Sequence, residues 1–204
     1  MSTASSTGLP TRPPLVLGDA LPNAFAKAWA RDAVLVATGA LLTALCAQIV
    51  IPMTPVPMTG QTFAVVLAGA TLGARRGAAS QLLYLIMGLF LPVYAEGGSG
   101  TDVIWGASGG YIVGFVIAAY LIGTLAERGA DRKFVLAFAT FIVGQLVIFG
   151  IGVPWLKVSA DLSWATAIHD GFTVFIIGGL VKAAAVGMLT PAAWRGVKKL
   201  DARD

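Results

Sequence analysis

Charged residues and cysteines are scarce in this sequence of 204 residues. Only 12% of the residues are charged, whereas an average soluble domain has roughly 25%. The single cysteine, Cys46, excludes a disulfide framework or a cysteine metal site within one chain. No cluster of His, Cys, Asp or Glu has the spacing of metal ligands, and the sequence contains no phosphate loop of the form Gly-x-x-x-x-Gly-Lys-Ser/Thr. We therefore expect no metal, no cofactor and no enzymatic activity, and any energy for transport must come from a partner.

Long apolar runs are what the sequence has instead, since 57% of its residues are hydrophobic. Six segments stand out: residues 33–51, 61–74, 77–92, 109–126, 134–153 and 172–189. The second and third are short for a bilayer. A re-entrant hairpin there would strand Arg75 and Arg76 at membrane depth, at about 2.5 to 3.5 kcal/mol each. The sequence therefore predicts an all-α membrane protein with six transmembrane helices within residues 31–194.

The basic residues give an independent prediction of topology. Of the 14 Lys and Arg residues, all but Lys157 and Lys182 lie before the first segment, between the second and third, between the fourth and fifth, or after the sixth. Cytoplasmic loops carry the excess of Lys and Arg. We therefore expect both the N and C termini in the cytoplasm, with residues 1–30 as a flexible tail and residues 195–204 as a basic tail.

These features predict a multi-pass protein of the bacterial plasma membrane, in contact with membrane lipid. The first apolar segment lacks a small-residue cleavage site, so we interpret it as a retained span. The net charge of +4 is spread over several loops and is not grouped with aromatic residues. Nucleic acid is therefore not an expected partner.

Lys182 lies about ten positions into the last segment, roughly 15 Å from either end. Its neighbours on the same helix face include the small residues Gly178 and Gly179, which leave room beside the ammonium. No apolar segment contains Asp or Glu, and a cation inside the membrane needs an anionic partner or water. The partner is either a ligand carboxylate, or Glu96 or Asp102 from an outer loop. The alternative is a water-filled crevice without a ligand.

Two outer loops have the composition of cavity walls. Three prolines stiffen residues 51–62, which predicts a lid rather than a loose link. Gln61 and Thr62 at its end offer donors and acceptors. In residues 91–100, glycines allow tight turns whose N–H groups face a small molecule; the alternative is a flexible connector.

The first segment carries a face of small residues, with alanines at positions 33, 37, 40, 44 and 47. In lipid, small residues allow close approach between helices. This face, represented by Ala33, Ala37, Ala40 and Ala44, packs either inside the bundle or against a separate membrane subunit. Three glutamines in or near the segments, Gln48, Gln81 and Gln145, are expected to form hydrogen bonds between helices.

Several motifs occur together in a specific order. They are Pro55-Val56-Pro57-Met58-Thr59-Gly60-Gln61-Thr62, Leu67-Ala68-Gly69, Leu72-Gly73, Leu91-Pro92-Val93-Tyr94, Gly97-Gly98, Gly109-Gly110-Tyr111 and Gly114-Phe115. In this order and spacing, the chain resembles the biotin-specific S components of energy-coupling factor transporters, the BioY family, over about residues 33–185.

The resemblance implies six helices and a substrate cavity near the outer face, closed by the loops after the first and third spans. It also implies that the alanine face docks on a transmembrane coupling protein joined to two ATPase subunits, and that Lys182 is the family's lysine of the last span. The resulting ligand-binding set is Gln61, Thr62, Tyr84, Tyr94, Glu96, Gly97, Gly98, Tyr111 and Lys182.

The sequence departs from the family just ahead of Lys182. The family commonly has Pro-Gly-Asp ahead of the lysine, and here Ile177-Gly178-Gly179 takes its place. An acidic acceptor for the ureido group is therefore missing. Either another residue such as Glu96 or Asp102 takes that role, or the ligand preference has shifted.

The functional prediction is a membrane subunit that binds biotin and mediates its uptake. Biotin has an apolar bicyclic body, a urea and a carboxylate, which suit apolar walls, the polar groups of Gln61 and Thr62, and the ammonium of Lys182. The alternatives are an S component for another vitamin, a purely structural membrane subunit and, less favoured, a membrane-embedded enzyme. Thiamine is cationic, so Lys182 argues against it.

Overall fold

A computed structural model describes residues 16–20 and 27–201 of the chain. The helices are α1 (Ala28–Ala47), α2 (Gln61–Leu72), α3 (Ala74–Phe90), α4 (Thr101–Trp105), α5 (Gly109–Glu127), α6 (Phe134–Ser159), α7 (Trp164–Gly171) and α8 (Ile176–Asp201). Two short strands, β1 (Val50–Ile51) and β2 (Met58–Thr59), form an antiparallel pair between α1 and α2. Single 3-10 turns occupy Leu17–Ala20, Ala95–Gly97 and Thr173–Phe175.

The predicted all-α membrane architecture is confirmed. The stretches that contain α1, α3, α5, α6 and α8 are long and apolar enough to cross a membrane. Beside these five, helix α2 is also apolar but has only 12 residues, which gives a length of roughly 18 Å. The central helix of the bundle is α5, which packs against α2, α3 and α6.

Several predicted boundaries differ from the structure. The first segment was expected at residues 33–51, but α1 spans Ala28–Ala47 and Val50–Ile51 form a strand. The fifth segment was expected to end at Val153, but α6 continues through Pro154 to Ser159. Proline removes one helical hydrogen bond without necessarily ending a helix. The sixth segment was expected to be helical from Phe172, but α8 begins only at Ile176, after a 3-10 turn.

The turn between α2 and α3 is a single glycine. Gly73 has φ of 84°, a conformation that favours glycine. A Cβ on Gly123 of α5 would lie 2.3 Å from the carbonyl carbon of Gly73, so α5 passes directly against the turn. At the start of α3, the N–H of Ala74 donates to Oε1 of Glu127 at 2.8 Å. This carboxylate satisfies an otherwise free N–H and lies at the positive end of the helix dipole.

The basic loops predicted to share one side do meet at one end of the bundle. Arg76 lies 2.7 Å from Asp19 and 2.9 Å from Asp32, near the start of α1. Across the same end, Nε1 of Trp194 on α8 donates to Oδ2 of Asp131 in the α5–α6 loop at 2.5 Å. We call this the basic end. That it faces the cytoplasm stays a prediction.

The predicted tails lie only partly within the described residues. Val16 is 2% exposed, and a Cβ on Gly18 would lie 3.0 Å from the carbonyl oxygen of Thr71. This short segment therefore packs against α2. Of the basic C-terminal tail, residues 195–201 continue α8. Residues 1–15, 21–26 and 202–204 lie outside the described residues, and the flexibility expected there stays a prediction.

Candidate ligand-binding site

A cavity of about 280 Å³ opens at the end of the bundle opposite the basic end. Its walls come from the β1–β2 loop, the first turn of α2, the connection from α3 to α5, and from α5, α6 and α8. This placement agrees with the prediction that the two outer loops close a cavity. Six members of the predicted ligand-binding set line it: Gln61, Thr62, Tyr94, Glu96, Tyr111 and Lys182.

Lys182 connects α8 to the lid and to α2. Its Nζ donates to the backbone carbonyl oxygen of Thr59 at 2.5 Å and to Oγ1 of Thr62 at 3.1 Å. Among the described residues, no carboxylate lies within 4.0 Å of this nitrogen. As the seventh residue of α8, Lys182 lies roughly 9 Å from the start of that helix. The distance of roughly 15 Å expected from the sequence was counted from Phe172, which precedes α8.

Gln61 is the centre of a hydrogen-bond chain that fixes the lid. Its Oε1 accepts from Oγ1 of Thr59 at 2.7 Å, and its Nε2 donates to the hydroxyl of Tyr84 at 2.6 Å. The Tyr84 hydroxyl in turn donates to the carbonyl oxygen of Val93 at 3.2 Å. The chain therefore ties the β1–β2 loop, α2, α3 and the next outer loop together at the cavity wall.

Three members of the predicted set, Tyr84, Gly97 and Gly98, lie outside the lining of the cavity. Tyr84 is fully buried and reaches the cavity only through Gln61. Gly97 has φ of 72° and Gly98 accepts a hydrogen bond from the N–H of Tyr94 at 3.0 Å. The two glycines thus form the turn that positions Tyr94.

The side chain of Tyr94 is fixed by contacts with α3. Its hydroxyl donates to the carbonyl oxygen of Leu85 at 2.7 Å. A Cβ on Gly88 would lie 2.0 Å from Cζ of Tyr94, so the ring occupies the space that Gly88 leaves free. Tyr94 also packs edge-on against Tyr84, with ring centroids 5.6 Å apart.

An aromatic cluster forms the apolar side of the cavity. Phe149 of α6 packs against Tyr111 with centroids 5.9 Å apart, and against Phe175 with centroids 5.6 Å apart. The Tyr111 hydroxyl donates to the carbonyl oxygen of Gly171 at 2.9 Å, which anchors α5 to the end of α7. Phe175 shares the helix face of Lys182 in the sequence, but Phe149 could not be distinguished there, because phenylalanines are unexceptional in apolar segments.

Glu96 and Asp102 both lie at the cavity, as expected, but both are exposed. Glu96 has φ of 57°, a left-handed conformation that is uncommon for a residue other than glycine. Neither carboxylate forms an ion pair with Lys182. Of the alternatives for neutralising the ammonium, the one in which Glu96 or Asp102 folds in is not seen in this structure.

The alanine face of α1 divides into two parts. Ala40 is 0% exposed and Ala44 is 8% exposed, because this part of the helix packs within the chain. They are therefore inaccessible to a separate subunit in this conformation, which corrects their assignment as docking residues. Ala33 is exposed and Ala37 is half-buried, so docking at these two positions stays a prediction.

The three glutamines behave differently from one another. Gln81 forms the expected bond between helices, since its side chain pairs with Oγ1 of Thr43 at 3.2 Å. Gln48 donates to the carbonyl oxygen of Tyr94 at 3.0 Å. Gln145 lines the cavity, and its buried Oε1 has no hydrogen-bond partner within residues 16–20 and 27–201. The prediction of a bond between helices is wrong for this oxygen.

Comparison with known proteins identifies the family. The family model described as "BioY family" matches residues 19–199. The chain is 37% identical over 156 residues to "Biotin transporter BioY2" of Lactococcus lactis subsp. cremoris, covering 74% of this chain and 84% of that protein. It is 40% identical over 156 residues to "Probable biotin transporter BioY" of Pyrococcus horikoshii, covering 76% and 91%. With "Biotin transporter BioY" of Rhizobium etli, the identity is 33% over 181 residues, covering 80% and 96%.

The fold also matches a solved structure, a crystal structure of the S-component for biotin from an ECF-type ABC transporter. The TM-score is 0.75, with 23% sequence identity, and the match covers 82% of this chain and 92% of that chain. At this identity the likeness shows a shared fold. Together with the family model and the relatives, it establishes that this multi-pass membrane protein belongs to the BioY family.

Proposed function

We propose that this chain captures biotin in the outer cavity and mediates its uptake. The observation that carries the proposal is the ammonium of Lys182, which lies on the cavity wall and is bonded only to neutral oxygens of Thr59 and Thr62. A cation in a low-dielectric site is stabilised strongly by an opposite charge. An anionic ligand supplies the charge that the described residues do not.

The rest of the cavity suits the other two parts of biotin. Phe149 and Phe175 offer an apolar surface for the bicyclic body, and the side chain of Gln145 offers an amide to the urea. The volume of about 280 Å³ lies just below the range of roughly 300 to 1,000 Å³ that is typical of small-molecule sites. It fits a compact ligand and disfavours one as large as a dinucleotide.

The same features weigh against the alternatives. Thiamine would place a second positive charge beside Lys182, which costs free energy in a low dielectric. A membrane-embedded enzyme needs a nucleophile or a metal centre, and the described residues contain no group of His, Cys, Asp and Glu suited to a metal. Membership of the BioY family likewise supports transport over catalysis.

We further propose that the chain is the substrate-capture component of an energy-coupling factor transporter. In this arrangement a transmembrane coupling protein and ATPase subunits supply the energy, because the sequence itself lacks a phosphate loop. The structural likeness to an S-component supports this assignment at the level of the fold. The exposed start of α1, around Ala33 and Ala37, is the candidate docking surface, and membrane lipid covers the remaining apolar faces.

Thermal unfolding of the purified chain with biotin, thiamine or riboflavin tests the proposed ligand. A ligand at 100 times its Kd stabilises the folded state by about 2.7 kcal/mol, so biotin should raise the melting temperature clearly. Thiamine and riboflavin should leave it unchanged at the same concentrations. No shift with biotin, together with no biotin found by mass in the protein purified from producing cells, would contradict the proposal.

A separate experiment tests the coupling partners. Labelled biotin uptake is measured in cells that express this chain with or without the coupling protein and ATPase subunits. We expect their presence to increase the uptake rate while equilibrium binding to the purified chain stays the same. An uptake rate that does not respond to them would contradict the proposed assembly and leave biotin binding intact.

A further inference from the structure

Gln145 is a polar residue of the cavity whose amide oxygen is not engaged by the described residues. Its side chain is 6% exposed, lies near the middle of α6 and lines the cavity. Its Oε1 is buried and has no hydrogen-bond partner among the described residues. Buried polar atoms are nearly always paired in folded proteins, and an unpaired one is costly. Because Oε1 itself has almost no exposed surface, it meets a ligand in the cavity only after the terminal amide rotates.

Gly179 provides the space for this side chain. It is buried on α8, and a Cβ there would lie 3.1 Å from Nε2 of Gln145. Such a contact is tighter than ordinary van der Waals packing, so even alanine at this position would press on the amide. Gly179 also lies one helical turn before Lys182, which places the amide and the ammonium in neighbouring parts of the cavity.

A primary amide carries an acceptor oxygen and a donor nitrogen, and rotation of the terminal group exchanges the two within nearly the same volume. Gln145 can therefore present its oxygen to the cavity without repacking α6. A cyclic urea carries N–H donors beside a carbonyl acceptor, so it is the complement of such an amide. Neither Glu96 nor Asp102 matches this position, since both are exposed at the mouth.

We propose that Gln145 determines specificity for the ligand's urea: its amide oxygen accepts a hydrogen bond from a ureido N–H, in the space that Gly179 leaves free. The assignment rests on biotin being the ligand. In this assignment Gln145 contacts the urea directly, whereas Lys182 binds the charged group of the ligand.

The test is a binding cycle between protein and ligand variants. The affinities of wild type and Gln145→Leu are measured for biotin, for the two biotins methylated on one ureido nitrogen, and for desthiobiotin. Gln145→Leu should weaken biotin binding by about tenfold or more, since a ureido N–H loses its acceptor. At least one methylated biotin should bind the wild type much more weakly than biotin does, and this loss should nearly disappear in Gln145→Leu.

Desthiobiotin serves as the ligand control, because it keeps the urea and lacks the sulfur. Its affinity relative to biotin should be the same in both proteins. Gly179→Ala is the second protein variant. It should weaken biotin binding in the wild-type background and have no further effect in Gln145→Leu. Gly150→Ala is its control, because a Cβ there meets nothing within 4 Å.

Equal losses on methylation in wild type and Gln145→Leu would overturn the assignment, as would unchanged biotin affinity in Gln145→Leu. If Gln145→Leu does not fold, Gly179→Ala decides: a biotin affinity equal to that of Gly150→Ala would overturn it. Failure of the wild type to bind biotin would overturn the proposed function itself, which is a distinguishable result.

Discussion

At the basic end of the bundle, Arg76 lies 2.7 Å from one carboxylate, Asp19, and 2.9 Å from another, Asp32. At the opposite end, the ammonium of Lys182 forms hydrogen bonds, within the part of the chain that the structure describes, to a backbone carbonyl oxygen and a hydroxyl only. Arg76 is therefore compensated by the chain itself, whereas Lys182 is solvated by neutral groups beside a cavity. A charge that the fold leaves uncompensated points to a role in binding, and a compensated charge points to structure.

The largest effect should follow from removing the uncompensated charge. Lys182→Met keeps much of the apolar stem but loses the ammonium. Hydrogen bonds to charged groups contribute about 1.5 to 3 kcal/mol, so biotin affinity should fall by roughly 10- to 150-fold. Calorimetric titration measures this change. Lys157→Met is the matched control, because Lys157 does not line the cavity, and an equal loss there would erase the contrast between the two lysines.

A smaller effect should follow from displacing Tyr94 without touching a charge. In Gly88→Ala the new methyl group would occupy the space of the Tyr94 ring, since a Cβ would lie 2.0 Å from Cζ. Overpacking of this kind costs about 1 to 3 kcal/mol. We expect a lower melting temperature and weaker biotin binding, measured on the same samples. A variant that melts and binds as the wild type does would show that Tyr94 is not fixed by this contact.

Loss of the Tyr84 hydroxyl should separate support of the site from direct contact. Tyr84→Phe removes the acceptor for Nε2 of Gln61 and the donor to Val93. Stability should fall by about 1 to 3 kcal/mol, because a buried amide group loses its partner. Biotin affinity should change less than in Lys182→Met, since the ring does not line the cavity. A drop in affinity as large as that of Lys182→Met would restore Tyr84 as a contact residue.

The smallest effect should come from the compensated cation. The side chains of Arg76 and Asp32 are 25% and 48% exposed, and exposed ion pairs contribute about 0 to 1 kcal/mol. Arg76→Met should therefore lower the melting temperature slightly, by less at high salt, where exposed charges are screened. Biotin affinity should stay unchanged. A large loss of affinity would show that the two ends are coupled.

The six apolar helices of the bundle, α1, α2, α3, α5, α6 and α8, were predictable because hydropathy and the distribution of basic residues depend on each segment separately. The ends of α6 and α8 were not, since Pro154 fits within a helix here and Thr173–Phe175 form a 3-10 turn instead of α-helix. These outcomes depend on packing that the local pattern does not contain.

The candidate site, like the fold, was predictable only in part. Lys182 stood out because a lysine inside an apolar segment is rare, and the stiff loop identified Gln61 and Thr62. Gln145 could not be distinguished from Gln81, because both are glutamines in apolar segments. Only the structure shows that Gln81 pairs with Thr43 while the oxygen of Gln145 lacks a partner. The sequence likewise does not show that Tyr84 lies behind Gln61 rather than on the cavity wall.

The most direct test of the central claim compares biotin with its neutral amide, biotinamide, on wild type and Lys182→Met by calorimetric titration. If the ligand's carboxylate compensates the ammonium, the wild type should bind biotinamide at least about tenfold more weakly than biotin, and Lys182→Met should bind the two with nearly equal affinity. An equal ratio of the two affinities in both proteins would contradict the claim.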